Sequence, residues 1–363
     1  MNVPPIVQRH PALRWLAPIG VACVAGLAAT GVFSSSASSN ESLPPTTPTA
    51  LIAAVQQPNM SGFSGTVVSH LSLGLPELPQ VGEVTDGTSF TSLLTGSHTL
   101  QVWYGGPTRQ RIALLGSTDE ADVFRNGTDV WQWNSADHRA VHAVLPTPSA
   151  ADRPSPAPSV LSTLSPVDLA QQVMRAMDAT TRVAVEKDHI IADRSAYTLV
   201  LTPRAANTKV GSVHIAIDGQ TKVPLGVQVF ARGADSPAVD VAFSSINYGQ
   251  QSARTFQFAP PAGSKIEQVK PSRTAPAGNG GKRSDVSVTG SGWTRIVAVQ
   301  PGGTSVDGLK KASILNSLTP VAGSWGHGRL LDSPLLSVLV TSDGRVFAGA
   351  VPAPALYTAA GRK

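Results

Sequence analysis

The sequence predicts a mainly β protein: a curved antiparallel half-barrel covered by lid helices, followed by a small α+β domain. Three observations lead to this class. Only 14% of the 363 residues are charged, whereas glycine and proline number 33 and 29, and this composition favours sheets joined by turns over helical bundles. Apolar and polar residues alternate through most of the chain, as they do in half-buried strands. The length allows two domains and at least one large core.

The N-terminal residues are typical of an export signal. The apolar run Trp15–Phe33 follows two arginines, as in a signal peptide or an uncleaved membrane anchor. Small residues near Ala37 offer a cleavage site, but we expect the mature protein to stay attached to the membrane. Cys23 is the single cysteine, so a disulfide within one chain is excluded; its thiol is either buried and inert or acylated. In each case residues 1–37 make the rest of the chain extracytoplasmic, either membrane-associated or secreted after cleavage.

A Ser/Pro/Thr tether over 38–48 leads into the half-barrel, which we expect over 49–266. It begins with a helix over 49–57 that Pro58 stops. The alternation then predicts a first set of strands and hairpins: 63–74, "HTLQVWYGG" with "QRIALLG" around Gly105-Gly106-Pro107, "ADVFRNG" with "TDVWQWNS" around Asn126-Gly127, and 138–145.

A second helix is predicted by "SPVDLAQQVMRAMDA", where Ser165 is the N-cap and Pro166 the first helical residue. Five further strands follow it: "AYTLVLTPR", "SVHIAIDG", "VPLGVQVFAR", "AVDVAFSSINYG" and "RTFQFAPP". About ten antiparallel strands make a sheet long enough to curl. In the last of them Phe256 and Phe258 share one face before Pro260-Pro261 ends the pairing.

The C-terminal residues have a different pattern. A linker over 267–285 precedes a small α+β domain over 286–363. Its predicted elements are the strand "WTRIVAVQ", the helix "DGLKKASILNSL", the hairpin "LLSVLVTSDGRVFAGAV" turning on Ser342-Asp343-Gly344, and the short helix "PAPALYTAA".

The sequence contains no catalytic or nucleotide-binding motif of the GxSxG, HExxH, P-loop or GxGxxG type. His138 and His142 lie about 13 Å apart along one strand, too far to share a metal, so solvent-facing edge histidines are expected. The net charge of +5 comes from the termini and the linker rather than from a basic patch with aromatics, which argues against nucleic acid. We therefore expect no enzyme activity, no metal and no cofactor.

Apolar side chains recur on one strand face across the predicted sheet. One explanation is an ordinary core packed under the two helices. The other is a cavity for an apolar ligand, because two short helices are little cover for ten strands. Composition alone does not separate them. The candidate cavity residues are Val67, Val102, Tyr104, Ile112, Leu114, Trp131, Trp133, Leu199, Ile215, Val227, Val229, Phe243 and Phe256. We expect both indoles on the concave side with the others.

Three stretches resemble the LolA-type lipoprotein carriers and the related RseB/MucB periplasmic regulators. They are "HTLQVWYGGPTRQRIAL", "ADVFRNGTDVWQWNS" and "VHIAIDGQTKVPLGVQVF…VAFSSINYGQ…RTFQFAPPAGSKI", which together span about 50–266. The resemblance implies a half-barrel of about ten strands around lid helices, closed by the Phe-x-Phe strand, that binds acyl chains without catalysis. Where the carriers have an arginine before the turn proline, this chain has Gly106.

Two functions follow from this resemblance. The first is an exported module that binds lipid or lipoprotein acyl chains. The alternative is an envelope-stress regulator that senses lipids and binds an anti-sigma factor or another membrane protein through residues 286–363. A regulator needs an exposed apolar patch on that domain, whereas a carrier needs only the cavity.

Overall fold

The computed structural model describes residues 43–56, 60–74, 96–145, 165–177, 179–269, 286–299 and 318–362. Its elements form two sheets, one of twelve strands and one of six, and few helices. The mainly β class is confirmed. The predicted export segment and the tether up to residue 42 lie outside the described ranges, as does the predicted helix over 307–318 apart from Leu318. Among the described residues, no helix has both the length and the apolar character needed to cross a membrane.

The large sheet has the strand order β12-β6-β5-β4-β3-β2-β1-β11-β10-β9-β8-β7. Every neighbouring pair is antiparallel except β12 and β6, which run parallel. The strands are β1 Phe63–Leu71, β2 Gly96–Tyr104, β3 Arg109–Leu115, β4 Glu120–Asn126, β5 Asp129–Asn134, β6 Arg139–Val144, β7 Thr181–Ile191, β8 Arg194–Pro203, β9 Val210–Asp218, β10 Pro224–Ala231, β11 Pro237–Tyr248 and β12 Lys265–Val269.

Two helices cover one face of this sheet. Helix α1 (Pro48–Val55) begins at the Thr47 N-cap, whose hydroxyl accepts a hydrogen bond from the Ala50 amide at 3.2 Å. Helix α2 (Pro166–Ala176) begins at Ser165, as its sequence predicts. Leu51 and Val55 of α1, and Leu169 and Val173 of α2, join the same buried core as the strand residues Val102 and Ile112. We call this side the helix face and the opposite side the outer face.

The segment predicted as the closing strand is different in the structure. Ala253–Phe256 form a 3-10 helix, and the final strand is β12, which extends past the boundary expected at 266. Prolines 260 and 261 have no amide hydrogen, so this stretch cannot donate to a ladder. The Phe256 ring is instead buried against Gly105, where an added Cβ would lie 2.8 Å from it.

The C-terminal residues form the small lobe, a six-stranded antiparallel sheet with a helix on one side. Its strand order is β13-β14-β18-β17-β16-β15. The elements are β13 Val286–Thr289, β14 Ile296–Val299, β15 Thr319–Gly323, β16 Gly326–Asp332, β17 Ser337–Thr341, β18 Val346–Gly349 and α3 Ala353–Gly361. The predicted hairpin and last helix are confirmed as β17–β18 and α3. Leu339, Phe347 and Leu356 form the centre of its core.

A polar contact joins the small lobe to the large sheet. The Lys209 ammonium donates to an Asp332 carboxylate oxygen at 2.6 Å and to the Ser333 carbonyl at 2.5 Å. The Trp293 indole donates to the Thr181 hydroxyl at 2.8 Å, and its ring enters the core of the large sheet. The small lobe is thus docked at the β7 and β8–β9 side of the large sheet. The division into domains at 266 and 286 stays a prediction.

Candidate ligand-binding face

The strand registers place ten of the thirteen candidate cavity residues on the helix face. Three cross-strand pairs of β2 and β3 lie on this side: Tyr104 with Gln110, Val102 with Ile112, and Leu100 with Leu114. The same alternation continues through β1 and β7–β11. The ten are Val67, Val102, Tyr104, Ile112, Leu114, Leu199, Ile215, Val227, Val229 and Phe243. Their role in ligand binding stays a prediction.

Trp131 and Trp133 lie on the outer face, so their expected position beside Val102 is wrong. Trp131 is the partner of Phe124 across β4–β5, whereas the helix-face residue Val123 is the partner of Gln132. Both indoles pack around Phe258, at centroid distances of 5.6 and 5.9 Å. The alternation does place the two indoles on one face, but it does not say which face of the sheet that is.

His142 belongs to this outer cluster and is not a solvent-facing edge residue. Its ring stacks on Trp131 at 4.1 Å, its Nε2 lies 2.8 Å from an Asp129 carboxylate oxygen, and its side chain is 16% exposed. His138 is exposed, in a turn with φ of 49°. Within the described ranges, no group of three or more His, Cys, Asp or Glu residues is arranged to hold a metal ion.

The helix face is not packed uniformly. At strands β8–β11 the side chains of Leu199, Ile215 and Phe243 are 0% exposed, which fits an ordinary core. At β2–β3, Val102 and Ile112 are 5% and 8% exposed. Val102 and Ile112, which lie near the first turn of α2, are therefore slightly less closed than Leu199, Ile215 and Phe243.

A cavity lies between that first turn and strands β1–β3. Its wall is formed mainly by Phe63, Val102, Tyr104, Ile112, Val167 and Asp168. It offers about 20 Å³ to the centre of a water molecule, which is room for one water and far less than a bound acyl chain needs. Three residues from the sequence list line it. Phe63 and Asp168 were missed, although Phe63 begins the predicted first strand and Asp168 lies in the first turn of the predicted helix.

Asp168 gives the cavity an ionisable wall. It is half-buried, and no hydrogen bond to its carboxylate is formed by any residue that the structure describes. Burial raises the pKa of Asp168 to about 6, while the nearby Arg175 opposes this rise. Burial and the Asp168 charge together raise the pKa of the Tyr104 phenol. The carboxyl is therefore partly protonated near neutral pH, and the phenol keeps its proton.

The small lobe carries an apolar row on the side of its sheet away from the core. Val288 is the partner of Val297, which is the partner of Ala348, and the row continues through Val338 to Leu331. Val288 is 56% exposed and Val297 is 37% exposed, and the other three are half-buried. The exposed part of this row is therefore formed by Val288 and Val297.

No protein-family model and no curated protein sequence matches this chain. Solved structures similar to it include a complex of MucA and MucB from Pseudomonas aeruginosa, at 15% identity and a TM-score of 0.46 over 86% of this chain and 96% of that chain. A second structure, MucB in complex with MucA(peri), matches at 15% identity and a TM-score of 0.45 over 86% and 97%. A LolA superfamily protein from Nitrosomonas europaea matches at 12% identity and a TM-score of 0.24 over 59% and 99%. These belong to the two groups that the sequence motifs resemble, and the likeness concerns the fold alone.

Proposed function

We propose that this chain is an exported, non-catalytic protein that binds acyl chains of lipids or lipoproteins under helix α2. The cavity between α2 and strands β1–β3 carries the proposal. Its wall is mainly apolar and includes Phe63, Val102, Ile112 and Val167, so an acyl chain would contact apolar side chains there.

An acyl chain would enter by displacing α2. That movement exposes the side chains of Leu169 and Val173, each worth about 2 kcal/mol of burial. Each methylene of an entering chain contributes about 0.8 kcal/mol when it is buried. About six buried methylenes therefore more than offset the loss of both contacts. The closed cavity is compatible with a ligand of ten or more carbons only if α2 acts as a lid.

The test fills the cavity and measures loss of ligand. In Val167→Phe the larger ring occupies the space that an acyl chain would enter, and Val183→Phe is the control, since Val183 is equally half-buried but lies on β7. Native mass spectrometry of residues 45–363 from bacteria should show co-purified lipid in wild type and in Val183→Phe but not in Val167→Phe. Equal lipid in all three proteins would place the ligand elsewhere. No lipid in any of them, confirmed by titration with purified fatty acid, would overturn the proposal.

A second candidate is an envelope regulator that binds a membrane protein through the small lobe. The row from Val288 to Leu331 favours this function. Two of its valines, Val288 and Val297, are exposed to water, and a bound partner would bury them. A photo-crosslinking amino acid at Val297 should yield one dominant membrane-protein adduct in cells. The same group at Thr319, exposed on the edge strand β15, is the control. Equal adducts at both positions would contradict a specific surface.

A further inference from the structure

Arg125 is a half-buried cation that has no counterion among the residues that the structure describes. It lies on β4, and its side chain forms no hydrogen bond, ion pair or ring contact within the described ranges. Its Nε is fully buried and has no hydrogen-bond partner. An unpaired buried donor costs about 1–3 kcal/mol, and more when it belongs to a charged group, so such a residue calls for an explanation.

Two other half-buried arginines of the large sheet have carboxylate partners. The Arg111 guanidinium lies 2.9 Å from Asp122, and that of Arg194 lies 2.7 Å from Asp218. A third, Arg109, lies 6.0 Å from the centroid of the Phe256 ring. Arg125 departs from this pattern, and it does so beside the candidate cavity.

The strand registers fix the position of Arg125. Arg125 is the cross-strand partner of Gln110, which is the partner of Tyr104, which in turn is the partner of Phe63. The last three of these line the cavity. All four share the helix face, and two strand spacings put the Cα atoms of Arg125 and Tyr104 about 10 Å apart. A row of hydrogen-bond donors thus leads from the apolar wall to the guanidinium.

The chemistry of this row suits an anion. A guanidinium offers only donors, in a fork that matches two oxygens of a carboxylate or a phosphate. The Gln110 amide and the Tyr104 hydroxyl can donate beside it. Asp168 is the acidic group on the cavity wall, and Arg175 lies on the same helix. An acyl chain against Val102 and Ile112 would place its polar end near the row.

We propose that Arg125, with Gln110 and Tyr104, binds the anionic head group of an amphiphile whose acyl chain lies in the cavity under α2. This inference rests on the proposed function and adds the charge of the ligand. The head group can be the carboxylate of a fatty acid or the phosphate of a phospholipid, because both present two oxygens to one guanidinium.

The experiment compares single-chain ligands that differ only in head group. Myristoyl lysophosphatidylglycerol is anionic, and monomyristoylglycerol of the same chain length is uncharged and has no phosphate; myristate tests the carboxylate, and inorganic phosphate tests a head group without a chain. Affinities are measured by calorimetry, below the micelle concentration, for wild type, Arg125→Met and the control Arg182→Met. Arg182 is exposed on β7, far along the sheet from the cavity.

We expect wild type and Arg182→Met to bind lysophosphatidylglycerol about tenfold more tightly than monomyristoylglycerol, since a charge-assisted hydrogen bond is worth about 1.4 kcal/mol or more. In Arg125→Met the preference should fall below about twofold with the affinity for the uncharged ligand unchanged. Tighter binding of myristate than of lysophosphatidylglycerol would identify a fatty-acid site, and the reverse a phospholipid site. If inorganic phosphate binds as tightly as either amphiphile, the acyl chain contributes nothing to binding, and the proposal of an amphiphile site is overturned.

Two outcomes separate the failures. If wild type binds lysophosphatidylglycerol and monomyristoylglycerol equally, or Arg125→Met keeps the preference, Arg125 does not bind the head group while the acyl-chain proposal stands. If wild type binds none of the amphiphiles, the proposed function fails and this inference fails with it. Thermal melting without ligand supplies a second readout: Arg125→Met should melt no lower than wild type, because it removes an unpaired charge. A large drop would reveal a structural partner for the guanidinium and would contradict the inference.

Discussion

Replacing Asp168 by asparagine should stabilise this protein at neutral pH. The side chain keeps its shape and its place in the first turn of α2 but no longer carries a charge into the cavity. The pKa of Asp168 in the fold is about 6, against an ordinary 3.8. The difference of about 2 corresponds to an upper limit of about 3 kcal/mol. Water reaches this half-buried carboxyl, and charge at a helix N-terminus is favourable, so we expect about 1–2 kcal/mol.

The sign of the pH dependence follows from the raised pKa. The folded protein holds this proton more tightly than the unfolded chain does. The stability of the wild type relative to Asp168→Asn is therefore highest below about pH 4. It loses that stability as the pH rises from about 4 to about 6, and the difference between the two proteins is constant above about 7. Among the groups near this carboxyl, Arg175 opposes the rise of the Asp168 pKa, and the Tyr104 phenol, whose own pKa is raised, keeps its proton across this range.

Urea unfolding at pH 4, 6 and 7.5 measures the effect. The free energy of unfolding of Asp168→Asn should exceed that of wild type at pH 7.5 and converge with it near pH 4. Asp235→Asn is the control, because it makes the same chemical change at a carboxyl that is exposed in the turn between β10 and β11. If Asp168→Asn is less stable at pH 7.5, the carboxylate has a favourable partner and the reasoning about a desolvated charge is refuted.

Two further predictions concern buried charge. Asp218→Asn should destabilise the protein by about 3 kcal/mol because it leaves the Arg194 guanidinium without its charged partner. Burial alone would raise the pKa of Asp218, but hydrogen bonds from Arg194 and two backbone amides lower it overall. This contribution is therefore present at neutral pH and is lost as the pH falls below about 4, which acid titration of both proteins would show. Lys209→Met should destabilise the protein by about 1–3 kcal/mol and speed proteolysis between the lobes, because it removes the bonds to Asp332 and Ser333. Unchanged proteolysis would mean that the remaining contacts, those of Trp293 and of the Ala350 carbonyl, are enough to hold the lobes together.

Period-two alternation and turn residues predict most of the fold. The hairpins at Gly105-Gly106-Pro107 and Asn126-Gly127, the capped helix after Ser165 and the β17–β18 hairpin all depend on local chemistry, which a sequence displays directly. The segment after Ser252 does not follow that rule. Its two phenylalanines alternate like a strand, but the 3-10 helix forms because Phe256 finds a place against Gly105, a contact between residues far apart in the chain.

The site is harder to predict, because it depends on the register between neighbouring strands, which decides the face of the sheet on which each side chain lies. Alternation shows that Trp131 and Trp133 share a face, but the face is set by the β4–β5 register, in which Val123 opposes Gln132. The same register makes Arg125 the neighbour of Gln110 on the helix face, whereas in the sequence it is one more polar residue before a turn. A cation in a hairpin is normally solvated, and only its burial without a partner marks it as unusual. The informative signal in this protein is therefore a missing contact, and a missing contact becomes visible only once every neighbouring strand has been placed.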